Sequence, residues 1–164
     1  VRDCVQILGP FKNVLEVGSL DVNSTAGGMD VRKLFGNAKY TGVDVKEGPG
    51  VDVAMDWLDS IAVAELPFFY DCVLCTEMLE HCPDPLQAVG HMIVSCQPGG
   101  IIILTAAGPT REPHECYGGM KPPPPGEWYK NIHPEQLQDW LSPCGEVHVD
   151  LHRIGADVRA WARR

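Results

Sequence analysis

The chain has 164 residues, with 13 Lys and Arg against 22 Asp and Glu, for a formal net charge of −9. That length supports one domain with a single sizeable core, and 45% apolar with 21% charged residues is an ordinary globular composition. An acidic chain lacks the basic footprint that neutralises phosphates, which argues against nucleic acid and against an anionic membrane surface as partners. The short cluster Arg159, Arg163 and Arg164 reads as a solvated tail. There are 17 Gly and 14 Pro, and ten of them fall within residues 108–126, so one abnormal segment sits in an otherwise normal domain.

In chain order, NVLEVG (13–18) reads as a short apolar strand and MDVRKLFGN (29–37) as a short helix ended by Gly36 and Asn37. KYTGVDV (39–45) is a second strand, and VDVAM (51–55) is a third after the turn residues Glu47 to Gly50. FFYDCVLC (68–75) is a fourth, apolar throughout except for Asp71. Its Cys72 and Cys75 form a CxxC followed by His81 and Cys82. No second CxxC or HxxxH pair completes a site, so these thiols read as small hydrophobes and no metal is expected. Seven cysteines, with no leader-like or 18-residue apolar run, fit reduced thiols in the cytoplasm.

Asp84 caps, and Pro85 opens, a helix whose Leu86, Val89, Met92, Ile93 and Cys96 recur at three and four residues. Pro98, Gly99 and Gly100 stop it, and IIILTAA (101–107) is a fully buried strand. Residues 108–133 form a long loop stiffened by Pro122 to Pro125. HPEQLQDWL (133–141) is an amphipathic helix with Leu137, Trp140 and Leu141 inward, and EVHVDLHRIG with DVRAWARR makes a closing hairpin. Strand–helix alternation with short connections implies an α/β domain whose mostly parallel sheet is covered on both faces. No internal repeat and no second domain interrupts residues 1–164.

Ligands of such sheets sit at the carboxyl ends of the strands, near the point where strand order reverses. The first strand ends in EVGSLDVN (16–23), where Gly18 lets a ligand approach the backbone and the following segment offers free N–H groups. Asp44 lies 26 residues beyond Gly18 at the tip of the second strand, placed to accept two ribose hydroxyls. Asp56 after the third strand either accepts from an adenine amine, with Trp57 covering the ring, or caps a short helix WLDSIAVA.

TEMLEHCPDP (76–85), then a helix, then PGGIIILT, resembles the class I S-adenosylmethionine-dependent methyltransferases. The likeness is to the branch containing ubiquinone- and menaquinone-biosynthesis methyltransferases, and it runs over about residues 12–107. The resemblance implies a Rossmann-like three-layer sandwich with a seven-stranded, mostly parallel sheet and an antiparallel C-terminal hairpin. It implies S-adenosyl-L-methionine as cofactor and a small-molecule acceptor methylated at a hydroxyl or amine. By position, Glu16 and Gly18 would face the methionine part, Asp44 the ribose, and Asp56 and Trp57 the adenine. Cys75 and Thr76 would meet the methionine amino group through the backbone, and Glu77 and His81 would border the substrate.

The sequence departs from the family's E-x-G-x-G-x-G loop, because Leu20 and Val22 stand at the later glycine positions. The bulkier loop from Ser19 onward either takes another path or seats the cofactor slightly differently, with Asp21 expected against the methionine amino group and Asn23 against its carboxylate. Only VRDCVQILGP precedes the first strand, so the substrate cover is expected from the loop 108–133, through Glu115, Tyr117, Trp128 and Tyr129. His81 and His114 are the candidate general bases, with Glu115 as an orienting partner, while His91, His133, His148 and His152 read as surface or capping residues.

Two other functions compete. A nicotinamide-dependent oxidoreductase needs G-x-G-x-x-G where Gly18, Leu20 and Asn23 stand. A non-catalytic binding module would carry a decayed cofactor loop. The Asn/Asp-Pro-Pro-aromatic motif of nucleic-acid amino-methyltransferases is replaced by Thr76, Glu77, Met78 and Leu79.

Overall fold

The computed structural model describes residues 1–22, 31–67, 69–117 and 122–164. Helix α1 (Arg2–Leu8) leads into β1 (Asn13–Val17), and β2 (Lys39–Asp44) and β3 (Val53–Ala54) follow. Helix α2 (Ser60–Ala64), β4 (Tyr70–Thr76), α3 (Pro85–Ser95) and β5 (Cys96–Ala107) come next. Helix α4 (Pro134–Trp140), β6 (Glu146–His152) and β7 (Asp157–Arg163) complete the chain.

All seven strands form one sheet in the order β3-β2-β1-β4-β5-β7-β6. β1 to β5 pair in parallel, and β7 runs antiparallel to both β5 and β6. The apolar runs explain this. Val14, Leu15, Cys72, Val73, Leu74, Cys75, Ile102 and Leu104 are all fully buried, because the central strands are covered on both faces. One core packs α3 and α4 residues such as Val89, Met92 and Leu137 on the sheet. The other packs Cys4, Val5 and Leu8 of α1, with Phe11 and Phe35, on the opposite face. The CxxC thiols lie in these cores, as the strand pattern requires.

Asp71 interrupts the β4 run for a local reason: its carboxylate accepts from the backbone N–H groups of Lys12 (2.8 Å) and Asn13 (2.9 Å) and fixes where β1 begins. Asp84 caps α3 through Gln87 N–H at 3.0 Å, with Pro85 in the first turn. Asp59 caps α2, accepting from Ile61 and Ala62. Asp56 instead closes its own turn on Leu58 N–H (2.9 Å), so the capping expectation shifts by three residues.

Three further expectations change. Val31–Phe35 is a 3-10 helix rather than a helix over 29–37, and Met29 and Asp30 lie outside the described residues. Pro98, Gly99 and Gly100 lie inside β5, where its register with β4 shifts between Tyr70 and Cys72, and the backbone of Arg164 bonds both glycines. The arginine cluster is not a solvated tail. Arg159 pairs with Asp150 (2.6 Å) and Arg163 with Glu146 (3.4 Å) across the β6–β7 hairpin, where directly opposed strands bring opposite charges together. The α1 segment forms because Val1, Val5 and Leu8 recur on one helical face. Among the described residues no helix is long and apolar enough to cross a membrane.

Candidate functional site

Strand order reverses between β1 and β4, and a cleft of about 910 Å³ opens over their carboxyl ends. That is within the roughly 300–1,000 Å³ of small-molecule sites. At its floor Gly18 has φ +76°, and a Cβ there would lie 2.7 Å from the Cβ of Met78, so neither the conformation nor the space admits a side chain. The N–H groups of Gly18 and Ser19 both donate to the Val43 carbonyl, at 2.9 and 3.1 Å, which turns the chain over the tip of β2.

The bulky loop fits because the opposing turn is bare. Leu20 Cδ1 occupies the space a Cβ on Gly48 would need (2.3 Å), and the Ser19 carbonyl does the same at Gly50 (2.4 Å, φ +89°). Glycines in EGPG thus make room for the side chain that replaces a glycine at position 20. Asp21 N–H donates to the Pro49 carbonyl at 2.8 Å and closes the loop against the same turn. Asp44 is held by backbone on both oxygens, accepting from Leu20 N–H and Lys46 N–H at 3.1 Å each, so its remaining lone pairs face the cleft in a fixed orientation. Ser19 is buried, and its Oγ has no hydrogen-bond partner.

Glu16 is buried beneath this loop and accepts from the Tyr40 hydroxyl at 2.8 Å. Burial and the Glu16 charge push the Tyr40 phenol far above its usual range, so it stays a donor. Sequence reasoning missed this pair, although Tyr40 is the diagonal cross-strand neighbour of Glu16 (Val14 opposes Tyr40 and Gly42 opposes Glu16). On the far wall Asp56 and Trp57 line the cleft, with Trp57 nearly buried and its Nε1 donating to the Ala88 carbonyl (3.0 Å). Thr76 and Glu77 line it from the end of β4. Glu77 has φ +55° and accepts from Thr105 Oγ1 (2.8 Å) and Arg111 Nη1 (3.2 Å). The Cys75 side chain points into the core, where burial raises its thiol well above the usual range.

Beside the cleft stands a second group. Glu80 is fully buried; its Oε1 accepts from Ala107 N–H (3.1 Å) and its Oε2 has no partner. Burial, then the charge of Glu77, push its carboxyl up to about 8. Burial, then His114, push the His81 imidazole down to about 4, so it is neutral near pH 7. The rings of His81, His114 and Tyr129 meet edge-on with centroids 5.0 to 5.3 Å apart. The Tyr129 hydroxyl, pushed up to about 12 by burial and Glu80, is buried without a partner. Ligand atoms of Glu80, His81 and His114 all lie within 4.8 Å of one another, so this set could hold a metal ion. The spacing of Glu77, Glu80 and His81 over one turn is the sequence signal that could have found Glu80.

The long loop distributes its predicted residues. His81 lines the cleft, and His114 and Tyr129 of the loop pack edge-on against it. Trp128 lines a separate cavity of about 280 Å³ with Leu86, Lys130 and Trp140. Tyr117, with Cys116, lines the main cleft together with Gly18 and Asp44. Glu115 is half-buried, and Asn23 lies outside the described residues.

This topology and a cleft at the switch point define a Rossmann-like α/β domain of the ligand-binding kind. Over residues 2–156 the chain matches the methyltransferase domain family, and it belongs to that family. It is 29% identical over 153 residues to a ubiquinone biosynthesis O-methyltransferase of Saccharophagus degradans, covering 80% of this chain and 64% of that protein. It is 33% identical over 111 residues to the protein of the same name in Leptothrix cholodnii, covering 62% and 45%. The chain thus spans less than two thirds of the length of these relatives. In fold it is similar to a SAM-dependent methyltransferase from Archaeoglobus fulgidus, with TM-score 0.67 and 14% identity over 99% of this chain and 92% of that one. It is also similar to the 1,6-didemethyltoxoflavin-N1-methyltransferase of Burkholderia thailandensis, solved with bound 1,6-didemethyltoxoflavin and S-adenosylhomocysteine, with TM-score 0.64 and 14% identity over 98% and 74%.

Proposed function

We propose that this domain uses S-adenosyl-L-methionine to methylate a small-molecule acceptor at a hydroxyl or amine. The observation that carries the reading is Asp44, fixed by two backbone N–H groups at the tip of β2, beside the bare backbone at Gly18 at the tip of β1. The residues fit the cofactor. The buried, unpartnered Ser19 hydroxyl and the carboxylates of Asp21, Asp44, Asp56 and Glu77 suit a cationic nucleoside with an amino-acid tail. Glu16, Gly18, Ser19 and Asp21 would hold the methionine part, Asp44 the ribose, Asp56 and Trp57 the adenine, and Thr76 and Glu77 the reacting end. When bound, the cofactor supplies a methyl group made electrophilic by a positively charged sulfur.

His81 is neutral near pH 7 and borders the cleft, so it can take the proton of a hydroxyl acceptor, with His114 behind it. The names of the O-methyltransferase relatives favour a hydroxyl over an amine. The seven unpaired thiols and the net charge of −9 support a reducing, cytoplasmic setting and a small acceptor rather than nucleic acid. Calorimetry with S-adenosylhomocysteine tests the reading: saturable binding that is lost in Asp44→Ala is expected. Absence of saturable binding at millimolar ligand would overturn it.

A further inference from the structure

The first arm of the loop after β5 is rooted firmly at its base and makes a weaker contact at Tyr117. At its root, Arg111 bridges Glu77 (3.2 Å) and Asp157 (2.8 Å). Asn131 donates to the carbonyls of Gly108 and Arg111, and Ile132 N–H donates to Ala107 (2.8 Å). These contacts tie both arms of the loop to the ends of β4, β5 and β7. From there the first arm passes His114 on the acceptor side and continues across the cleft to the tip of β2. At that far rim Cys116 and Tyr117 line the same cavity as Gly18, Asp44 and Asp56. The Lys46 ammonium, two residues beyond Asp44, sits 3.5 Å from the Tyr117 ring centroid. Glu127 Oε1 accepts from Cys116 N–H and braces this arm against the returning one. Tyr117 is 38% exposed, so its contact with Lys46 is a solvated cation–π pair that opens at little cost.

We infer that Tyr117 and Lys46 form a latch over the nucleoside end of the cofactor, so that this arm of the loop governs cofactor retention rather than acceptor recognition. The inference rests on the cofactor reading above and moves Tyr117 from the acceptor side to the cofactor side. The chemistry suits a nucleoside: an aromatic face covers a flat base or the sugar held by Asp44, and the ammonium holds the ring in place from outside. Because the root contacts do not involve Lys46 or Tyr117, Tyr117 can release the nucleoside while the acceptor side keeps its arrangement of His81, His114 and Tyr129.

The test is the dissociation rate of S-adenosylhomocysteine from the whole chain, measured by surface plasmon resonance. Lys46→Met and Tyr117→Ala are each expected to speed release about 2–5-fold, the range of an exposed cation–π contact, or more where the ring also touches the base. Tyr117→Phe and Lys46→Arg keep the ring and the cation and should release at the wild-type rate. The double variant Lys46→Met/Tyr117→Ala should release no faster than Tyr117→Ala, because the pair acts as one unit. Wild-type rates in Lys46→Met and Tyr117→Ala, with binding intact, overturn the latch and leave the cofactor reading standing. A wild-type chain that does not bind S-adenosylhomocysteine at all overturns both. Both side chains are at the surface, and an unchanged thermal midpoint confirms that the variants fold.

Discussion

Glu80→Gln separates a carboxyl held neutral by burial from one held ionised. Glu80 has no exposed surface, has one partnered oxygen, and has its carboxyl raised from the usual 4.5 to about 8. The folded state therefore keeps a proton that the unfolded state releases above about pH 4.5, and stability must fall with rising pH across that window. At about 1.4 kcal/mol per unit, the penalty in the wild type is on the order of 1 kcal/mol at pH 5, 3 kcal/mol at pH 7 and 5 kcal/mol at pH 9. Gln keeps the acceptor for Ala107 N–H, places an amide where the protonated oxygen stood, and does not titrate. Urea unfolding of both proteins at pH 5, 7 and 9, in buffer containing a chelator, gives the difference directly. The variant should gain on the wild type steadily as pH rises. Parallel stability curves, offset by a constant, would refute the reasoning and mean that Glu80 is charged in the fold.

Gly18→Ala should cost roughly 2–4 kcal/mol in denaturant unfolding, from the positive φ and the collision with Met78, and should weaken S-adenosylhomocysteine binding as well. Gly48→Ala, which sets a Cβ against Leu20, should lose stability by about 1–3 kcal/mol, and adding Leu20→Ala should restore part of it in the same assay. Trp57→Phe removes the Nε1 bond to the Ala88 carbonyl, which keeps its helical bond, and should lower stability by about 0.5–1.5 kcal/mol, read from the urea midpoint. His81→Ala should reduce methyl transfer to a phenolic acceptor by about 10²-fold or more at pH 7 with cofactor affinity unchanged, and full turnover in the variant would remove His81 as the base.

The fold was largely legible in the sequence, because the evidence for buried parallel strands is local: short apolar runs ended by Gly, Asp or Thr at each tip. Asp84 with Pro85 marked α3 for the same reason. What was not legible depends on partners distant in sequence. Nothing local in CQPGG reveals that Arg164, just beyond β7, bonds Gly99 and Gly100, and nothing in EGPG reveals that Gly48 makes room for Leu20. In the site, Gly18, Asp44, Asp56 and Glu77 were readable as strand tips that line one cleft. Glu80 was not, since an acid in a polar turn reads as exposed until the loop folds back and Lys130 N–H bonds its carbonyl. The aromatic residues of that loop were recognised as a group, yet the structure divides them among three places, because a 26-residue connection can visit both rims of a cleft.

The position of β7 sets the order in which this molecule can be assembled. It follows β6 along the chain, yet it lies inside the sheet, with seven register pairs to β5 on one side and seven to β6 on the other. During synthesis β6 emerges first and has no strand to pair with, and the long edge of β5 stays open as a template for other chains. Neither is satisfied until β7 arrives, fifty or more positions downstream of its partners in β5. A growing polypeptide of this design must wait for β7 before this part of the sheet closes, so the interval before closure is when mispairing and capture by chaperones would act.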